Sequence, residues 1–298
     1  MSGPWVPEIE VDEALARRLV RAVAPELADD EISRLGVGWD NVVYRVGPRY
    51  VFRFPQRALG APNIAAECAA LPAIAAQLTA PVPVPEFIGQ PLGDYPWPYA
   101  GCRYLPGRTA CRAALSPAER ERIAEPLAHI LRELHDIDPE PLELRDDFFT
   151  KLDPSRAESA RRDLAHLESA GQLSSAADFE PFLQDLPSGS RPRRVVHGDL
   201  YARHILVDDH RSFAGIIDWG DVLRGDPAVD LSLICGFLPR PARERFRGVY
   251  GEMDADTWRL ARFRAVCHAA ATGAFSETTA DQDLLRECRH VLAEIRGS

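Results

Sequence analysis

Several features are missing from this chain of 298 residues, and each absence argues against a class of protein. Its six cysteines form no C-x-x-C pair, so a zinc site or a disulfide framework is disfavoured and we expect reduced, mostly buried cysteines. Neither a run of 18 apolar residues nor a basic, apolar leader is present, which predicts a cytoplasmic protein without a membrane span. Internal repeats are also lacking, and the regular apolar periodicity is typical of a folded chain.

Positive charge is scarce as well. The 45 acidic residues outnumber the 35 basic ones, which gives a formal net charge of -10. A general nucleic-acid-binding protein needs a basic face, so we expect no nucleic-acid partner. The acid excess suits a cationic small-molecule partner instead. Lysine occurs once, at Lys151, late in the sequence and far from any glycine-rich segment, so a phosphate-binding cation elsewhere must be arginine.

The most informative segment is HGDLYARH at residues 197–204, followed by GIIDWGD at residues 215–221. The catalytic loop of protein kinases reads H-R-D-L-x-x-x-N, with its base and its metal ligand five positions apart. Asp199 and His204 have the same separation, although histidine replaces asparagine. Two strands joined by a turn with ordinary Asp residues are the alternative. The combination of both motifs favours phosphoryl transfer to a hydroxyl group.

This chemistry assigns a role to each of these side chains. Phosphoryl transfer depends on positioning and on neutralising phosphate charge. Asp199 would act as the catalytic base that meets the attacking hydroxyl, and Asp218, at the end of the apolar strand 213–217, would hold the metal. His204 would be the second metal ligand, although imidazole is a softer partner for magnesium than an amide oxygen. We expect His197 to orient the loop backbone.

An upstream nucleotide-binding region is also indicated. Residues 36–44, GVGWDNVVY, follow the pattern G-x-G-x-x-G-x-V, with Gly36 and Gly38 in place and Asn41 at the third glycine position. Glycines allow close approach of a phosphate, and Asn tolerates positive φ better than most residues. A plain hairpin turn would be the preferred interpretation of this segment in isolation. Its position before the catalytic loop favours the nucleotide-binding role.

The following strand and helix supply a charged pair. Arg53, in the strand YVFRFP, stands where the kinase pattern V-A-I-K has lysine, and guanidinium can bind phosphate bidentately. Glu67 is the one acid of a predicted helix over residues 63–78, and we expect it to pair with Arg53. The alternatives are a solvated strand arginine and a solvent-facing helical glutamate.

Together these motifs, over residues 36–233, resemble the aminoglycoside phosphotransferase family, most of all its 2″-aminoglycoside and macrolide members, which also carry histidine at the metal-ligand position. The resemblance implies Mg²⁺, with ATP or GTP as phosphate donor and a small-molecule hydroxyl as acceptor. It also implies an interlobe hinge in which backbone groups around Arg103, Tyr104 and Leu105 meet the purine. Asp226 and Asp230 match a family motif that we interpret as supporting the catalytic loop.

The resemblance implies the fold class α+β with a two-lobed protein-kinase-like fold. It also implies that the protein is a monomer. A small N-terminal antiparallel-sheet lobe, residues 1–103, would bind nucleotide, and a larger, mainly helical C-terminal lobe, residues 104–298, would carry catalysis and the acceptor site. Paired strands are predicted over residues 35–54, with a turn at 47–49. Predicted helices cover residues 11–27, 63–78, 116–135, 153–185, 254–272 and 281–295.

The acceptor contacts are the least determined. Tyr201, Asp221 and Trp258 are candidate acceptor-binding residues, with core packing the alternative for Trp258. Eight acids could supply carboxylates to the cleft, although solvated helix positions are their default: Asp163, Glu168, Asp178, Glu180, Asp185, Glu252, Asp254 and Asp256. An aminoglycoside is the expected acceptor. A macrolide, another small alcohol, or a pseudokinase that binds without turnover are the alternatives.

Overall fold

The computed structural model describes residues 7–146, 152–188 and 191–297. Its N-terminal part is built on a five-stranded antiparallel sheet with the strand order β1-β2-β3-β5-β4. The strands are β1 (Ile32–Val37), β2 (Asn41–Val46), β3 (Tyr50–Pro55), β4 (Pro85–Gly89) and β5 (Tyr99–Arg103). Gly47 has a φ of +55° in the β2–β3 turn, where glycine carries no steric cost. The predicted paired strands and their turn are therefore confirmed.

Helix α1 (Glu13–Val23) packs on this sheet and is shorter than the predicted helix over residues 11–27. Asp12 caps it by accepting a hydrogen bond from the Leu15 amide at 2.8 Å. It stops because Pro25 disfavours a helical conformation at Ala24, and a 3₁₀ turn (Pro25–Leu27) follows. The sheet and α1 enclose a core cluster that includes Phe52, Phe54 and Tyr99.

Helix α2 (Ala61–Ala75) follows β3 and carries Glu67. Its residues Ala70, Leu71 and Ile74 belong to the second, larger core cluster, which lies in the C-terminal part. Residues 58–75 are long and apolar enough, by length and composition alone, to cross a membrane. A single helix of this kind is weak evidence, because core helices pass the same test.

The C-terminal part is mainly helical and encloses the larger core. Its helices are α3 (Ala110–Ala113), α4 (Pro117–Asp136), α5 (Arg156–Ser169), α6 (Ala228–Phe237), α7 (Arg240–Tyr250), α8 (Ala255–Thr279) and α9 (Gln282–Arg296). Helix α4 begins with the predicted capping box, in which the Glu119 carboxylate accepts from the Ser116 amide at 2.7 Å and Ser116 Oγ accepts from the Glu119 amide at 3.3 Å. The antiparallel N-terminal sheet and these C-terminal helices confirm the predicted α+β class with a helical C-terminal lobe. The division at residue 103 stays a prediction.

The predicted helix over residues 153–185 is only partly present. Helix α5 ends at Ser169, Gly171 adopts a φ of +71°, and a 3₁₀ segment (Ala176–Phe182) completes the stretch. A left-handed glycine is a common helix terminator, and Pro181 cannot continue an α-helix. Conversely, α8 extends seven residues beyond the predicted end at 272.

Short strands position the loops of the catalytic motif. They form two three-stranded sheets, β10-β9-β6 and β7-β11-β8. Their bounds are β6 (Arg108–Thr109), β7 (Arg145–Asp146), β8 (Arg194–Val196), β9 (Ile205–Val207), β10 (Phe213–Ile216) and β11 (Leu223–Gly225). The 197–204 segment joins β8 to β9, and the 217–222 segment joins β10 to β11. All six cysteines are free and five are buried, as predicted.

Candidate active site

The β1–β2 hairpin, which contains Gly36 and Gly38, covers one side of the cleft. The Gly38 amide donates to the Asn41 carbonyl at 2.7 Å, which closes the turn. A Cβ at Gly36 would meet nothing within 4 Å, so this backbone borders open space. Asn41 does not adopt the positive φ that asparagine tolerates, because it is the first residue of β2 and pairs with Pro55. Its Oδ1 is buried without a hydrogen-bond partner.

Arg53 and Glu67 form the predicted ion pair. The Glu67 side chain is 1 % exposed, and Arg53 Nη1 also lies 3.1 Å from Asp218 Oδ1. Burial disfavours the Arg53 charge, but Glu67 and Asp218 outweigh that cost and raise the pKa of Arg53. Burial raises the pKa of Glu67 against the opposing charge of Arg53. The guanidinium is thereby held at the cleft by one acid on each side.

The backbone of the catalytic loop is fixed by Asp230, which is fully buried at the start of α6. Its carboxylate accepts from the amides of His197 at 2.8 Å and Gly198 at 3.0 Å, and it lies 3.2 Å from His135 Nε2. Burial raises the pKa of the Asp230 carboxyl, but these partners outweigh it and the pKa lies below its usual range. Gly198 has a φ of +86°, and a side chain there would collide with the Asp221 carbonyl.

His197 orients the same loop through its ring. Its Nε2–H donates to the Ile217 carbonyl at 3.1 Å, which leaves Nδ1 as the acceptor for the Asp199 amide at 3.3 Å. Burial lowers the pKa of His197, in keeping with this neutral form. Asp226 does not support the loop as predicted. Its carboxylate instead accepts from the Ala228 amide at 2.8 Å and pairs with Arg191 at 2.7 Å.

His204 and Asp218 face each other across the cleft floor. His204 Nδ1 lies 2.7 Å from the Asp199 carbonyl oxygen, which can only accept, so Nδ1 carries the proton. His204 Nε2 then points to Asp218 Oδ2 at 3.2 Å. Burial lowers the pKa of His204, but Asp218 outweighs it and the pKa is raised. Asp218 occupies left-handed backbone at a φ of +66°, and its carboxyl is half exposed. Desolvation in the cleft raises the pKa of Asp218, but His204 and Arg53 outweigh it and hold the pKa below its usual range.

This pair of donors fits a magnesium ion that shares its coordination with a nucleotide. Mg²⁺ in such sites is held by one or two side chains together with phosphate oxygens and water. Among the residues that the structure describes, no group of three or more His, Cys, Asp or Glu side chains could hold a metal ion by itself. Asp218 and His204 are the residues that would hold Mg²⁺, with the nucleotide supplying further oxygens.

The carboxylate of Asp199 is contacted by two residues that sequence reasoning missed. Arg264 Nη2 lies 3.4 Å and His268 Nε2 lies 3.5 Å from Asp199 Oδ1. Both belong to α8, and their spacing of four residues places them on one helix face. Arg264 is 6 % exposed, and burial lowers its pKa against the charge of Asp199. The sequence signal for Arg264 and His268 was their four-residue spacing in a predicted helix. A pair that contacts a buried catalytic residue and a solvent-exposed pair show the same spacing, so the signal did not distinguish them.

Comparison with known proteins then identifies the family. The model of the "Phosphotransferase enzyme family" matches residues 31–264, most of the chain. The chain belongs to this phosphotransferase family. Viomycin phosphotransferase of Streptomyces vinaceus is 33 % identical over 94 residues, which cover 30 % of this chain and 26 % of that relative. The match therefore spans about a quarter of the length of the curated relative.

Solved structures share the fold of this phosphotransferase. The GDP and kanamycin complex of APH(2″)-IIIa has a TM-score of 0.70 at 22 % identity and covers 95 % of this chain and 98 % of its own. Macrolide 2′-phosphotransferase type I has a TM-score of 0.60 at 19 % identity, covering 94 % and 97 %. The two-lobed kinase-like fold predicted from the motifs is thus confirmed.

The phosphotransferase brings most of the predicted residues into one cleft of about 550 Å³. The predicted residues that line it are Gly36, Gly38, Asn41, Arg53, Asp199, Tyr201, His204, Asp218 and Asp221. Glu67 lies behind Arg53. The Tyr201 ring contacts the rings of His204 and His268, with centroid distances of 4.5 and 4.6 Å, and so lies beside the predicted base.

The predicted hinge residues Arg103, Tyr104 and Leu105 lie outside this cleft lining. Arg103 Nε donates to Glu86 at 2.6 Å, and the Tyr104 ring lies under the Arg45 guanidinium at 3.7 Å. The Tyr104 amide donates to the Arg49 carbonyl at 2.7 Å. That amide is already engaged, so a purine contact here would rest on the remaining backbone groups, including those of Leu105, and it stays a prediction.

Asp221 lines this cleft, but the eight further acids proposed for acceptor binding and Trp258 do not. Trp258 lies near the start of α8, packs against the large core and carries the Arg262 guanidinium at 5.1 Å from its ring. Five of the eight acids form ion pairs with arginines outside the cleft: Asp178, Glu180, Asp185, Glu252 and Asp254. Glu168 accepts from the Ala176 amide. The segments that carry these acids therefore form ion pairs away from the cleft, whereas helix α8 forms a wall of the cleft.

Proposed function

We propose that this phosphotransferase transfers the γ-phosphate of ATP or GTP to a hydroxyl of a small-molecule antibiotic. One observation carries the proposal. Arg53 on β3, Asp199 and His204 in the loop 197–204, and Asp218 after β10 come from three separate segments and converge on one cleft beneath the glycine-containing hairpin. Each supplies one of the parts that phosphoryl transfer requires: a phosphate-binding cation, a base and a metal site.

The contacts support distinct roles for these residues. Asp199 would orient the acceptor hydroxyl and accept its proton, because its carboxylate opens to the cleft while its backbone is fixed on both sides. Arg53, held by Glu67, would bind the nucleotide phosphates. Bound Mg²⁺ would neutralise charge on those phosphates. Asp218 and His204 would hold it.

The donor and acceptor classes are drawn from the relatives. The structural neighbours include GDP complexes and a streptomycin–ATP complex of APH(2″) enzymes, which supports a nucleoside triphosphate donor. Their names include kanamycin and gentamicin, and an aminoglycoside is therefore the first acceptor to test. The macrolide neighbour makes a macrolide the second, and the lack of the predicted acids in the cleft lining favours testing it in parallel.

The test is a coupled nucleotide-turnover assay with ATP and GTP against kanamycin, viomycin and erythromycin. Asp199→Ala should abolish acceptor-dependent turnover while leaving the unfolding transition in place. Asp209→Ala, an exposed acid in the turn after β9, is the matched control and should retain turnover. Nucleotide binding without Asp199-dependent turnover of any acceptor would favour the pseudokinase alternative.

A further inference from the structure

Helix α8 presents one continuous stripe to the cleft. Arg264, His268, Ala271 and Thr272 line it, and Phe275, one turn later on the same helix, lies outside this lining and contacts Trp39, which belongs to it. With a rise of 1.5 Å per residue, Phe275 lies roughly 10 Å along the helix axis from His268, which contacts the base. The stripe is polar beside Asp199 and apolar at its far end. An acceptor whose hydroxyl meets Asp199 would extend along this surface.

The opposite wall is also apolar. Trp39, at the tip of the β1–β2 hairpin, packs on Phe275 with ring centroids 4.4 Å apart and an interplanar angle of 31°. Leu35 and Val37, on the edge strand β1, both line the cleft, and Leu35 lies at an irregularity in the pairing of β1 with β2. They are 48 % and 47 % exposed, and Trp39 is 37 % exposed. Contiguous exposed apolar side chains of this kind mark binding surfaces.

Carboxylates for a polycation are few in the cleft. Its acids are Asp40, Asp199, Asp218 and Asp221. Asp40 pairs with Arg57, and Asp199 and Asp218 belong to the proposed catalytic site. Asp221 is the remaining acid among the cleft-lining residues that the structure describes, whereas a polycation requires several complementary carboxylates.

We propose that Trp39 and Phe275 determine acceptor specificity by binding an apolar ring face of the acceptor. This inference rests on the proposed phosphotransferase function and deepens it. The acceptor is a hydroxylated compound with a rigid apolar body, and its hydroxyl-bearing end reaches Asp199. A compound that is polar and cationic on every face gains nothing from this wall.

The test compares erythromycin, which has an apolar ring body, with kanamycin, a polycation, at saturating nucleotide. Trp39→Ala and Phe275→Ala should each raise the KM for erythromycin about tenfold, which corresponds to about 1.4 kcal/mol. The nucleotide KM should stay within about twofold in Phe275→Ala, because Phe275 lies on α8, outside the predicted nucleotide-binding segment 36–44. Trp39→Phe should restore the acceptor KM. Leu92→Ala, at a similarly exposed apolar residue outside the cleft lining, should change neither constant.

Three results would overturn the inference: an erythromycin KM that Phe275→Ala leaves unchanged, a rise in the nucleotide KM alone in Phe275→Ala, or no saturable erythromycin binding by tryptophan fluorescence. Retained Asp199-dependent turnover of nucleotide in any of these cases leaves the proposed function standing. Loss of Asp199 dependence with every acceptor instead counts against the phosphotransferase proposal itself.

Discussion

Replacing Asp230 by asparagine removes the buried charge that fixes the catalytic loop. Two amides, those of His197 and Gly198, donate to its two carboxylate oxygens. Asparagine offers one oxygen, so its NH₂ group must replace one carboxylate oxygen and face the backbone N–H of His197 or Gly198, a donor against a donor. Hydrogen bonds to charged groups contribute about 1.5–3 kcal/mol each, and an unsatisfied buried donor costs about 1–3 kcal/mol. We therefore expect a loss of about 3–5 kcal/mol in the free energy of unfolding.

Activity should fall with stability in this variant. Asp199 directly follows the two amides that Asp230 holds, and a displacement of about 1 Å at a reacting group can cost about 100-fold in rate. Urea unfolding gives the stability change, and nucleotide turnover under folded conditions gives kcat.

The matched control is Asp226→Asn, in the same motif. Asn keeps a helix-capping oxygen for the Ala228 amide and loses the charge pair with Arg191. We expect about 1 kcal/mol and a kcat within about twofold. A cost below 1 kcal/mol for Asp230→Asn, or equal effects of the two variants, would refute this account of the loop.

Three further predictions concern charged groups. Glu67→Ala should cost about 3–5 kcal/mol in urea unfolding, because Arg53 loses its buried partner, and an unchanged midpoint would contradict the pair's role. Arg264→Met should lower kcat about tenfold with little change in the nucleotide KM, because Asp199 loses a contact that orients it. Arg264→Lys should recover part of this loss in kcat. An effect confined to KM would argue against a role of Arg264 in orienting Asp199. Because the pKa of Asp230 is lowered, its carboxylate stabilises the fold at pH values above the unfolded carboxyl pKa of about 4. The free energy of unfolding should therefore fall as pH drops below that value, and the fall should be smaller in Asp230→Asn. Urea titrations at several pH values can check this.

The parts that could be predicted from sequence are those in which chemistry fixes both residue type and spacing. Asp199 and His204 are five residues apart because one short loop must present a base and a ligand, and Arg53 and Glu67 lie on a strand and the helix that follows it. Sequence reasoning assigned both Asp226 and Asp230 to the loop, but only Asp230 contacts it. Which of two nearby acids reaches the loop depends on how α6 packs.

The acceptor side could not be predicted in the same way. The acids of residues 163–185 are compatible with either a cleft or a solvated face, and two of them pair with arginines far away in the sequence, Asp178 with Arg296 and Asp185 with Arg259. Arg264 and His268 are separated from Asp199 by more than 60 residues, and only the packing of α8 brings them together. Long-range packing, rather than local pattern, decides this wall.

The placement of α2 has a consequence for motion between the two lobes. Ala70, Leu71 and Ile74 anchor this helix in the large core, whereas Arg53 belongs to the sheet of the small lobe. The Arg53–Glu67 contact therefore joins two separately packed bodies. If the sheet tilts away to admit a nucleotide, either α2 must leave part of its core or the ion pair must break. Breaking this buried ion pair would then be the energetic cost of opening the cleft.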